Sequence, residues 1–195
     1  MIETQRLFQE LQRMGAGEFV HLNGSLEEHL IGTAALLQEW NAPEHLRVAG
    51  LFHAAYGTAG FEGALACAEE RHKVAALIGA KSERLVYLYC CCDRQKFYPV
   101  IGTEHEHRLP DRFASVEREL TSEELDALCE LTAANELEIA SKSAAFRNQY
   151  GRSLAELFRR MRRHLSAHAR TKVAEVFANE ASSATLLALT GSQHK

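Results

Sequence analysis

The chain has 195 residues, 46% apolar and 25% charged, with a formal net charge of −4. That length suits one well-buried domain, and the mildly acidic balance excludes a general nucleic-acid binder. No apolar run reaches the roughly 18 residues of a membrane helix, and the charged start "MIETQRLFQELQRMG" has no signal-peptide core.

In chain order, residues 2–14 predict a first helix, stopped by Gly15 and Gly17. "EFVHLNGS" (18–25) is a connection whose last residue, Ser25, makes a capping box with Glu28 for a helix to about Trp40. Pro43 opens the next helix, "EHLRVAGLFHAAYG", which Gly57 closes. Residues 61–77 predict one helix or two short ones. Gly79 is a stop, and Ser82 caps "ERLVYLYCCCDR", a helix ending near Asp93. The pattern then turns β-branched and aromatic, so a small hairpin or extended loop is expected over 97–118. A helix follows from Ser122 to about Ser143, then a long basic helix from about Ser153 to Asn179. The expectation is one all-α domain over 1–182 with a flexible tail over 183–195.

The five cysteines are odd in number, three are consecutive, and none has CxxC spacing. They predict reduced, mostly buried thiols in a cytoplasmic protein. The basic stretch 158–172, "FRRMRRHLSAHARTK", has Phe158, Met161 and Leu165 at helical spacing. It reads as a solvated face, a site for an acidic partner, or a subunit contact that would make a homodimer.

Two of the ten histidines stand among small and apolar residues: His29 before "LIGTAALL" and His53 after "VAGLF". A buried histidine needs partners for both ring nitrogens, which a hydrogen-bond network or a metal supplies. Asp93, at a helix end beside Arg94, is either a third ligand or that arginine's partner. Tyr56 follows His53 by one helical turn, so its hydroxyl is a catalytic candidate facing the same pocket, and His21, eight residues before His29, is a candidate fourth ligand or acid–base group. Arg71 and Arg94 are candidates for holding an anion, or surface ion pairs. In "AANELE", Asn135 and Glu138 are either exposed or support the site.

"HLIGTAALLQEW", "AGLFHAAYGT" and "LIGAKSERLVYLYCCCDR" together resemble an uncharacterised branch of the HD-domain superfamily of metal-dependent phosphohydrolases, over roughly residues 20–140. "ERHKVAALIGAKSERLVYL" also resembles the guanosine polyphosphate hydrolases of that superfamily. The resemblance implies an HD-like helical bundle with His29, His53 and Asp93 as ligands. Ala54 stands where the superfamily carries the second residue of its His-Asp pair. Three ligands with open positions still suit one divalent ion, namely iron, manganese or zinc. The implied function is hydrolysis of a small phosphorylated or nucleotide-like substrate by a metal-activated water, with Arg71 or Arg94 on its anionic group. An iron oxygenase of the same fold is a second expectation. A non-catalytic small-molecule-binding module that has lost its metal is a third. No nucleic acid or membrane partner is expected.

Overall fold

The computed structural model describes residues 2–16, 20–21, 24–59 and 63–178. It is all-α with a small hairpin, as the composition predicts. Helix α1 (Ile2–Arg13) buries Leu7 and Leu11. Two residue pairs, β1 (Val20–His21) and β2 (Gly24–Ser25), run antiparallel and deliver the chain to α2 (Leu26–Glu39). The predicted capping box is present: Glu28 N–H donates to Ser25 Oγ at 3.2 Å, and Ser25 N–H to Glu28 Oε2 at 3.1 Å.

Helix α3 (Glu44–Phe52) stops earlier than its sequence predicts. His53 is its C-cap, and Ala54–Tyr56 form a turn closed by Gly57 at φ 72°. A 3₁₀ turn at Ala68–Glu70 leads into α4 (Arg71–Ile78). Gly79, at φ 84°, separates α4 from α5 (Ala80–Cys91). Ser82 is not the cap of α5 but a buried residue inside it. Helix α5 ends at Cys91 as expected, and Asp93 follows two residues on. Its side chain accepts from Lys96 N–H and caps α6 (Arg94–Phe97), so the expected hairpin region begins as helix.

The hairpin proper pairs β3 (Arg108–Asp111) with β4 (Val116–Glu119). Asp111 Oδ1 accepts from the amides of Phe113 and Ala114, shaping the turn. Helix α7 (Ser122–Lys142) carries its own capping box from Thr121 and Glu124. It is buried along most of its length, and α2, α3, α5 and α9 pack around it. The predicted basic helix is divided. Helix α8 (Ala144–Met161) begins nine residues before Ser153, and Ser166 caps a separate α9 (Ala167–Val176). Its basic face is largely paired: Arg159 and Arg160 bond Glu156, and Arg163 and His164 bond Glu106.

One hydrophobic core runs from Leu7 to Phe177. The expected tail, 183–195, lies outside the described residues. Among the described residues, no helix is long and apolar enough to cross a membrane. All five cysteines are free, and four are buried. Burial pushes the Cys90 and Cys92 thiols up to about 12, which leaves them unreactive as nucleophiles.

Candidate functional site

Two glycines set the spacing of the central helices. A Cβ at Gly50 would stand 2.6 Å from Leu37 Cδ1, so a methyl there would push the Leu37 side chain aside where α3 lies against α2. A Cβ at Gly32 would stand 2.7 Å from Glu138 Oε1. The missing methyl lets the carboxylate of α7 press against the backbone of α2.

That approach brings Glu138 to His29. His29 Nδ1–H donates to Glu138 Oε2 at 2.6 Å, and Lys142 bonds the other oxygen. Burial alone would raise the Glu138 carboxyl. The hydrogen bonds from His29 and Lys142 outweigh it and hold the group below its usual value. The second ring nitrogen of His29 meets Asn135 Oδ1 at 3.0 Å, and Asn135 Nδ2 donates to Glu136 Oε1 at 3.0 Å.

His53 lies beside His29, with ring centroids 5.1 Å apart and edge to face. Its Nδ1–H donates to Gly50 O at 2.8 Å, so the early end of α3 fixes the ring. Tyr89 meets the other side of His53 at 5.3 Å, and the Arg94 guanidinium lies over Tyr89 at 4.8 Å. Arg94 in turn stands 3.8 Å from Glu136 Oε1. The contacts therefore close a ring: His29, Asn135, Glu136, Arg94, Tyr89, His53.

The ring, apart from Tyr89, lines a cavity of about 550 Å³, within the range of small-molecule sites. Ala54 and Thr58 join its wall beside His53. Residues Phe146, Tyr150 and Leu154, four apart on α8, supply an apolar side. The Arg94–Glu136 separation exceeds hydrogen-bond reach. Arg94 Nε is buried and has no hydrogen-bond partner among the described residues. Burial works against the charge of Arg94, but Tyr89, Tyr98 and Glu136 outweigh it and hold the guanidinium charged. Burial pushes the Glu136 carboxyl up, towards its neutral form.

The expected residues thus divide. His29, His53 and Arg94 come together. Asp93 does not join them: it caps α6, pairs with Lys96 at 3.0 Å, and lines a different groove with Arg108 and Arg112. The side chain of His21 lies outside the described residues. Tyr56 and Arg71 belong to a separate network. Tyr56 Oη donates to Glu83 Oε1 at 2.9 Å, and Arg71 binds both Glu83 oxygens at 2.6 and 2.8 Å. Arg71 also lies 3.7 Å over the Tyr87 ring. Its Nε–Nη2 edge is taken up by Glu83, and Arg71 does not line the cavity of His29 and His53. Burial and the hydrogen bond to Glu83 raise the Tyr56 hydroxyl well above its ordinary value, which argues against an acid–base role.

A metal does not fit the ligand set drawn from the sequence. His29 and His53 are adjacent, Asp93 is elsewhere, and Ala54 offers no donor atom. Among the described residues, no group of three or more His, Cys, Asp or Glu is arranged to hold an ion. The residues that sequence reasoning missed are Glu136, Phe146, Tyr150 and Leu154. The polar run Asn135, Glu136 and Glu138 inside an otherwise apolar helix was the available signal for the first. The others went unseen because residues 144–152 carry no strong helix-start pattern apart from Ser143.

Residues 10–94 match the family model for a domain of unknown function, DUF6817. The match spans less than half of the 195 residues. It contains His29, His53 and Arg94 and stops short of α7 and α8. No curated protein and no solved structure matches the chain.

Proposed function

We propose that this protein is a small-molecule-binding module whose cavity holds an organic anion, with Arg94 on the anionic group. The observation that carries the reading is the state of Arg94. The half-buried guanidinium lines the cavity with its nearest carboxylate 3.8 Å away, out of hydrogen-bond reach, so a ligand anion in the cavity would give it the bonded counter-charge that Glu136 does not. Its planar fork suits a carboxylate or phosphate. Around it, His29 and Asn135 are held by Glu138 and Glu136, so the polar wall is set before a ligand arrives. Preorganisation of this kind favours binding.

The test is a thermal-shift screen of the full chain against carboxylates, phosphates and neutral metabolites, beside Arg94→Met. Arg159→Gln, at an exposed position, is the control. Ligands that raise Tm in the parent and in Arg159→Gln but not in Arg94→Met support the reading. Ligands whose shifts survive Arg94→Met overturn it. Elemental mass spectrometry of protein purified without chelator or His-tag addresses the hydrolase and oxygenase expectations. Near-stoichiometric metal that disappears in His53→Ala would replace the binding module with a metalloenzyme.

A further inference from the structure

We infer that the occupant of the His29–Arg94 cavity is a monocarboxylic acid with an apolar body; this deepens, and rests on, the binding role given to Arg94 above.

The charge of the wall limits the ligand. Among the described lining residues, Arg94 is the one arginine, there is no lysine, and Glu136 stands beside it. A nucleotide or sugar phosphate would bring two or more negative charges into this space. Each charge beyond the first would find no further arginine or lysine in the wall and would be unfavourable wherever it is desolvated. One carboxylate is matched: a planar, singly charged group against a planar fork.

The rest of the wall is mixed, with Thr58, Ser143, Gln149 and Ser153 among apolar residues, and it is the apolar part that suits the body of the ligand. Leu26, Ile139, Phe146 and Leu154 line the cavity, and Phe146 packs on Tyr150 with centroids 4.9 Å apart. Tyr150 is 43% exposed, so this aromatic pair reaches from the interior to solvent. A volume of about 550 Å³ is far more than a bare carboxylate or inorganic phosphate occupies. An acyl or aryl chain along the α8 side would fill it and gain from apolar burial.

Isothermal titration of the full chain with butanoate, hexanoate, octanoate, inorganic phosphate and AMP tests the inference. Octanoate is expected to bind tightest, with affinity rising about fourfold per added methylene until the cavity is filled. Arg94→Met should weaken octanoate at least about tenfold. Phe146→Ala, a partly exposed position that leaves the polar wall intact, should flatten the chain-length dependence. That variant keeps the inference testable if Arg94→Met fails to fold. Phosphate or AMP binding as tightly as octanoate, and dependent on Arg94, would overturn the carboxylic-acid class while leaving Arg94 as an anion site. An absence of Arg94-dependent binding by any probe would overturn the reading on which the inference rests.

Discussion

Two buried polar networks lie on either side of the turn at residues 53–58, and they differ in one respect. In the first, Tyr56, Glu83, Arg71, Tyr87, Asp111 and Arg118 form a chain in which every charge has a bonded partner. Arg118 Nε meets Asp111 Oδ2 at 2.5 Å, and Tyr87 Oη donates to the same oxygen at 2.9 Å. That chain ties α4 and α5 to the hairpin. In the second, His29, Asn135, Glu136 and Arg94 are also linked, but the link between the last two is 3.8 Å long and opens on a cavity. A saturated network braces a fold. One with an arginine still to be satisfied is equipped to receive a ligand.

The largest expected effect comes from breaking the saturated network. Arg71→Ala leaves Glu83, which is 4% exposed, as an uncompensated buried charge. A loss of about 3–5 kcal/mol is expected in urea unfolding. A loss below about 1 kcal/mol would show that the two networks do not differ as described. Gly32→Ala comes next. Its methyl must displace the Glu138 side chain, an overpacking worth about 1–3 kcal/mol. This substitution should also disturb His29, visible as a moved imidazole resonance in NMR; an unmoved resonance would mean that α2 and α7 separate without cost to the site.

The smallest effect is in pH dependence. Glu138 titrates below its ordinary value of 4.5 in the folded chain. A depressed carboxylate contributes stability that is present above its unfolded value and lost as pH falls through its folded one. The difference in urea midpoint between the parent and Glu138→Gln should therefore be constant from pH 7 to about 5 and shrink below 4.5. A difference that grows with acidity would mean that Glu138 is not held ionised by His29 and Lys142.

Much of the framework was legible because caps and stops act locally. Ser25 with Glu28, Pro43 and Gly79 each mark a boundary through their own backbone chemistry. The pairing of His29 with His53 was legible from their apolar surroundings. Asp93 was misread because its fate depends on α6, a four-residue helix too short to leave a periodic signal. Arg71 and Arg94 look alike in sequence. What separates them is a carboxylate 12 residues on for Arg71, within bidentate reach, and one 42 residues on for Arg94, out of it. Only tertiary packing sets those distances. The split of the basic helix at Leu165–Ser166 was hidden for the opposite reason: its residues favour helix, and a serine cap at 166 overrides them.

The cysteines have a practical consequence. Four of the five thiols are sealed in the core, and Cys67 is exposed in the segment before α4. A thiol-directed fluorophore or spin label added to the unmodified protein would therefore attach at one address, four residues from Arg71. The natural sequence carries a ready-made reporter for movement of the saturated brace, and no cysteine has to be removed to use it.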